Sequence, residues 1–261
     1  MYGHLLRAQV RGFASYRVSF LTDLVTNGLV PLFDLIAILA MFRVTRSLGG
    51  FTAGEVLVMY GLSATSFALG DLAVGNIERV NAYVRTGTLD AILLRPLSVL
   101  GQLLTMDFSI RRATRIATAV VILAVALSTV QTQWTVGRVV FLVLAPLSGA
   151  VFFASVFVAT ATVAFWWIDS GELANGFTYG GRDFTSYPLT VYSGYLRWLF
   201  GFGLGFASVG YYPTLALLDR PDPLGLPGWV GWCAPAVSLV TAGVATLAWR
   251  AGVRQYRSTG S

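Results

Sequence analysis

The sequence predicts an all-α membrane protein with six transmembrane helices, an interfacial amphipathic helix at the N-terminus, and a helical cytoplasmic insertion between spans 2 and 3. Three observations carry this expectation. Hydrophobic residues fill 56% of the 261 positions and charged residues only 11%, against about 25% charged in ordinary soluble domains. Several apolar runs reach the ~20 residues that a helix needs to cross a bilayer. The 18 basic residues are all arginine, and they gather at the ends of those runs, where orientation signals and headgroup anchors sit.

Composition also narrows the function. No long polar tract interrupts the chain, so residues 1–261 read as a single transmembrane domain. The net charge of +6 belongs to arginines flanking apolar runs, which points to lipid and not to nucleic acid. Cys233 lies within an apolar run, so no internal disulfide is possible. The first apolar run is too long for a signal-peptide core and lacks a small-x-small cleavage site, so it reads as a retained span.

Residues 1–19 place Leu6, Val10 and Phe13 at helical spacing with Arg7, Arg11 and Arg17 elsewhere on the turn. They read as a helix lying in the interface, or as a charged lead-in to the first span. That span covers Phe20 to Phe42 and contains Asp23 and Asp34, the latter after Pro31. An acid at mid-membrane costs about 2.5 to 3.5 kcal/mol on insertion scales, so Asp34 should face protein or water. Gly49-Gly50 marks a turn before span two, Val56 to Asn76, where Asp71 near the far end reads as solvated. The insertion, residues 78–98, mixes Glu78, Arg79, Arg85, Asp90 and Arg95 with an apolar set at Leu89, Ile92, Leu93 and Leu94. Span three follows Arg111, Arg112 and Arg115 and runs to Val130; span four lies within Val139–Trp167, closed by the aromatic belt Phe165-Trp166-Trp167. Hydropathy alone makes residues 169–188 a loop and Leu189–Val209 the fifth span. Residues 230–250 form the last span, and Arg250, Arg254 and Arg257 mark the tail.

Charge bias orients the chain. With the N-terminus inside, Arg7, Arg11, Arg17, the Arg79–Arg115 group, Arg182 and the tail are cytoplasmic, against Arg43, Arg46, Arg138 and Arg220 outside. The 78–98 insertion and both termini are therefore expected in the cytoplasm. Catalytic motifs are missing. His4 as the single histidine excludes an HExxH site, lone Cys233 excludes a cysteine-based metal cluster, and a chain without lysine cannot hold a Walker phosphate loop. Gly201, Gly203 and Gly205 sit in an apolar run and suit close helix packing better than phosphate binding.

Several motifs occur in a specific order: Arg85-Thr-Gly-Thr-Leu-Asp90 followed by Leu93-Leu94-Arg95-Pro96-Leu97, then Phe165-Trp166-Trp167, Tyr187-Pro188-Leu189, Tyr211-Tyr212-Pro213 and the tail Trp249-Arg250 with Tyr256-Arg257-Ser258. In this order the sequence resembles the permease subunits of type 2 ATP-binding-cassette (ABC-2) exporters, and more narrowly the bacterial subfamily with two paralogous permeases and one ATPase. Gly180-Gly181-Arg182-Asp183 is more polar than that pattern leads one to expect.

The resemblance implies a protein of the bacterial cytoplasmic membrane with no cofactor of its own, ATP and Mg2+ belonging to ABC ATPase subunits, and a second permease as partner. It implies that residues 78–98 carry the coupling helix, with Arg85, Leu89, Asp90, Leu93, Leu94, Arg95 and Pro96 at the ATPase contact. It also offers a second arrangement for span five, in which residues 170–188 cross the membrane and Tyr195–Leu215 dip in from outside. Asp34, Asp71 and Arg197 are the candidate translocation-path residues, as ionisable positions in or near spans. Two other function classes compete: an intramembrane enzyme using Asp34 or Asp71, and a passive channel or structural subunit.

Overall fold

The structure, a computed structural model, describes residues 17–105 and 111–256. The helices are α1 Arg17–Val44, α2 Ala53–Val74, α3 Val80–Arg85, α4 Thr88–Leu93, α5 Val99–Thr105, α6 Arg111–Thr129, α7 Val136–Thr162, α8 Gly171–Thr185, α9 Tyr211–Leu218 and α10 Ala234–Gln255, joined by short 3-10 and π turns. Among the described residues, four helical stretches are long and apolar enough to cross a membrane: Ala53–Arg85, Arg112–Thr129, Val136–Phe165 and Ala234–Gln255. The 28-residue α1 precedes them. The protein is thus an all-α polytopic membrane protein. The expected interfacial helix, residues 1–19, falls almost wholly outside the described residues.

α2 is the central helix. Apart from Glu55 and Asp71 near its ends, its sequence is almost wholly apolar or small on every side, as a helix without a solvent face requires, and it touches α1, α6, α7, α8 and α9. Small residues let the neighbours approach: Gly61 lies against the backbone of Leu123 on α6, and Gly70 against the Ala150 carbonyl on α7. The α1–α2 turn needs its glycines, since Gly49 and Gly50 have φ of 57° and 90°. Glu55 then accepts from the Thr52 N–H at 2.7 Å and satisfies a donor that the first helical turn leaves open.

The insertion begins later than residue 78. The helix of α2 runs on through a 3-10 turn at Gly75–Arg79 into α3, giving one 33-residue rod from Ala53 to Arg85. At 1.5 Å per residue that is about 50 Å, well over the ~30 Å of a hydrocarbon core, so one end stands clear of the membrane. Gly87, with φ 70°, turns the chain into the short α4, which ends just before Arg95-Pro96 as a helix preceding proline should. α5 folds back beneath it, and Gln102 on α5 donates to the carbonyls of Ile92 and Leu97 at 3.2 and 3.1 Å.

The hydropathy expectation for span five is overturned. Leu189–Val209 is not one helix; it breaks into Leu189–Val191, Gly194–Leu196, a π turn Arg197–Gly203 and Phe206–Ser208. Pro188 precedes it, and Gly194 and Gly205 hold left-handed φ of 44° and 82°. The polar stretch before it folds instead into α8. Gly171 lies beside Asn81, and the Thr185 hydroxyl meets that of Ser63. α8, with 15 residues, therefore runs about 22 Å along the α2–α3 rod. The chain then stays at the Gly49 end, where the Thr190 hydroxyl donates to the Gly49 carbonyl at 2.7 Å. It dips as far as Phe206, which packs on Phe152 and Phe177 at 5.0 and 5.9 Å, and residues 207–210 lead it back to Tyr211, the first residue of α9, whose ring meets Phe51 at 5.7 Å.

Gly210 is the tightest point of this dip, wedged between the main-chain carbonyls of Thr185 and Met59. Gly210→Ala is expected to cost about 1 to 3 kcal/mol, as overpacking a rigid site does, and to lower the thermal midpoint of the detergent-purified protein. An unchanged midpoint would refute the tight junction. α10 starts four residues after residue 230 and packs along α7, with Trp249 against Phe165 at 5.2 Å. Its other face, with Leu239, Val240, Val244 and Leu247, is bare, as suits lipid contact.

Candidate functional site

The insertion sorts its apolar residues onto two sides. Leu89 and Ile92 are buried in the chain's own core, so they hold α4 to the protein instead of offering it to a partner. What remains outside is Leu93, Leu94 and Leu97, at 37%, 87% and 55% exposure, with Arg95 and Pro96 between them, also exposed. Of the leucines expected at the ATPase contact, Leu89 is thus turned inward, Leu93 and Leu94 are accessible, and the exposed patch extends to Leu97. Asp90 points back to the tail, where the Tyr256 hydroxyl donates to it at 3.1 Å. Burial, with Asp90 beside it, pushes the Tyr256 phenol above its usual range, so the phenol stays a donor at physiological pH. Arg85 pairs with Asp169 at 2.6 Å, but both side chains are well exposed, and such pairs contribute little.

A first ionic layer sits where the rod passes α6. Asp71 is 2% exposed, with Arg115 at 3.1 Å and Arg112 at 3.4 Å. Arg112 also donates to the Asp71 main-chain carbonyl at 2.9 Å. The solvated reading of Asp71 is overturned: an arginine pair at the start of span three removes the need for water. Glu78 lies nearby, flanked by Asp71, Arg112, Arg115 and Tyr179. A Cβ at Gly75 would press on the Asp71 carboxylate and the Arg112 guanidinium, so a side chain there would have to displace this pair.

A second ionic layer lies eleven residues up the rod, about 16 Å away. Asp34 on α1 accepts from Arg182 on α8 at 2.7 Å and from the Tyr60 hydroxyl on α2 at 3.0 Å. Three helices thus meet on one carboxylate, and the guanidinium answers the cost of placing Asp34 in an apolar run. Arg182 also lies over the Phe67 ring at 5.5 Å. Tyr60→Phe removes one of the two donors to Asp34 and is expected to cost about 1 kcal/mol, read as a modest fall in the thermal midpoint; no fall would mean that the hydroxyl bears nothing.

Arg197 joins neither layer. Its guanidinium turns back to the carbonyls of Tyr192 and Thr190, so it braces the segment after Pro188. The three path candidates are therefore three separate sites. Sequence reasoning missed Tyr60 altogether, since a tyrosine in an apolar helix has no distinguishing pattern. It also missed the partnership of Arg112 and Arg115 with Asp71, although a double arginine next to a span was a usable signal. On the other side, Arg220 pairs with Glu55 and lies over the Phe51 ring at 4.0 Å, tying the α9–α10 connection to the α1–α2 turn. Among the described residues no group of three or more His, Cys, Asp or Glu could hold a metal ion.

The family described as ABC-2 family transporter protein matches residues 29–260 of this chain. That match takes in all the helices from the latter half of α1 onward, both ionic layers and the insertion. No curated protein and no solved structure matches the chain significantly.

Proposed function

Because the chain belongs to the ABC-2 transporter family, we propose that it is the permease half of an ATP-driven exporter whose ATPase seats on the exposed Leu93–Leu97 knuckle. Members of the family are non-catalytic transport subunits, and the chain is a multi-pass permease component of an ABC transporter, which implies an ATPase partner and a lipid setting. The finer reading concerns how force enters. The single observation that carries it is the two-sided α4, with Leu94 87% exposed while Leu89 and Ile92 are buried. Such a helix is bolted to its own protein on one side and bare on the other. A bare apolar patch of this kind on the polar end of a membrane protein suits a partner's groove, with Arg95 available for a rim contact that sets register.

Displacement of α4 by the ATPase would pass through Leu89 and Ile92 to the α2–α3 rod, and along it to the Asp71 and Asp34 layers. In this reading α8 is the fifth crossing, both termini are cytoplasmic, the membrane is the bacterial cytoplasmic membrane, and the partner permease is a paralogue. Both acids of the enzyme alternative are engaged by arginines, which leaves that reading without support. Affinity purification of the tagged chain from native membranes tests the proposal: an ATP-hydrolysing subunit and a second permease should come down with it. Recovery of the chain alone, with ATP-independent solute flux in vesicles, would favour the passive channel instead.

A further inference from the structure

Between the outer half of α8 and the segment after Pro188 lies a cavity of about 330 Å3, within the range of small-molecule sites. Its walls are aromatic: Phe177 and Phe184 from α8, Tyr187 just beyond it, and Tyr192 and Phe200 from the following turns. The rings brace one another. Phe184 stacks on Tyr192 at 4.2 Å, and Phe200 stands 5.5 Å from Phe184 and 5.7 Å from Phe177. Gly176 and Gly180 also line the cavity, and a Cβ at either would meet nothing within 4 Å. These glycines leave room; they do not mediate packing.

One carboxylate serves this space. Asp183 lines the cavity with its side chain 73% exposed, and the phenols of Tyr187 and Tyr192 lie within its electrostatic reach. No arginine is among the lining residues. Arg182 is turned to Asp34 at 2.7 Å and stands 4.0 Å from Asp183, while Arg197 bonds the carbonyls of Tyr192 and Thr190. An acid left exposed on a helix of a membrane protein should face a partner or an aqueous path, and the Arg182 guanidinium near Asp183 reaches it only at 4.0 Å while bonding Asp34 at 2.7 Å. Aromatic rings lining a space that also carries a single negative charge attract a cation twice, through the ring quadrupoles and through the carboxylate, and repel an anion of the same shape.

The geometry points to a binding site for bulky apolar organic cations, with the five rings as cage and Asp183 as counter-charge. As a statement about the transported substrate it rests on the permease reading above; as a statement about binding it does not. The test uses the full-length chain with its copurifying subunits in nanodiscs, and two ions of matched shape, tetraphenylphosphonium and tetraphenylborate. Labelled tetraphenylphosphonium should bind saturably above empty nanodiscs and resist displacement by tetraphenylborate. Asp183→Asn should weaken binding about tenfold, the loss of one charge-assisted contact, and Asp183→Glu should restore most of it. If Asp183→Asn does not fold, Gly180→Trp fills the cavity from its open side and should abolish binding with the thermal midpoint kept. Equal binding by Asp183→Asn, or equal displacement by tetraphenylborate, overturns the site. The same preparation is scored for a bound ATPase: charge-selective binding without one sinks the permease reading alone, and an ATPase with charge-blind binding sinks the cation site alone.

Discussion

Replacing Leu94 with Asp is expected to strip the ATPase from the complex while leaving the permease folded. Leu94 is 87% exposed, so the folded chain loses almost no buried area by the change and its thermal midpoint should stay where it is. At a seated interface the same change places an unpaired carboxylate in an apolar groove. Truncating an anchor residue costs about 2 kcal/mol or more, and burying an uncompensated charge adds to that. Together they lower affinity by about two orders of magnitude or more, enough to lose the partner through a purification. Leu89→Asp makes the informative contrast. Leu89 is buried, so this variant should fail by misfolding, with low recovery from the membrane and an early melt. Loss of the ATPase with an unchanged midpoint in Leu94→Asp, and loss of the protein itself in Leu89→Asp, is the pattern that a two-sided α4 requires.

The second large effect is at Asp71. The carboxylate is 2% exposed and is the point on which Arg112 and Arg115 converge. Asp71→Leu removes the counter-charge from both guanidinium groups at the junction of the rod and α6. Breaking one partner out of a buried pair costs about 3 to 5 kcal/mol, and the lower end applies here because Arg115 is 39% exposed and partly screened. Expression in the membrane and the detergent thermal midpoint should both fall sharply. Asp71→Asn keeps an acceptor for Arg115 and should fall less. Equal, small effects from both would show that the layer is solvated in the working protein, and the Asp71 layer would then have no structural part.

What could be read from the sequence depended on how local the determinant was. Apolar runs of membrane length fixed their own helices: α6 ends at Thr129 and α7 starts at Val136, close to the expected limits, because hydrocarbon thickness and hydropathy are properties of the run itself. The Gly49-Gly50 turn was legible for the same reason, since its two positive φ values demand glycine. α8 was not legible by hydropathy. Its arginine is acceptable in the fold only because Asp34, 148 positions earlier, is there to meet it, and a window average cannot see a partner on another helix. Leu189–Val209 failed in the opposite sense: it is apolar enough for a span, yet glycines and Pro188 break it, and it packs against α7 and α8 instead. The insertion was recognisable as an element, but a list of leucines could not say that Leu89 and Ile92 turn inward and Leu94 and Leu97 outward. That depends on α5 folding back under α4, which Gln102 arranges through two carbonyls outside its own helix.

The central claim is that the ATPase sits on the outward side of α4. Photocrosslinking addresses it most directly, with a short-range photoreactive residue placed in turn at Leu94 and at Trp229. Both sites are well exposed, and they lie at opposite ends of the molecule, one beyond the Arg85 end of the rod and the other among the connections near Gly49 and Arg220. In membranes containing the whole transporter, the residue at position 94 should yield a permease–ATPase adduct that cold competition at that surface removes, and position 229 should yield none. An adduct from position 229, or none from position 94 while the ATPase still copurifies, would contradict the account.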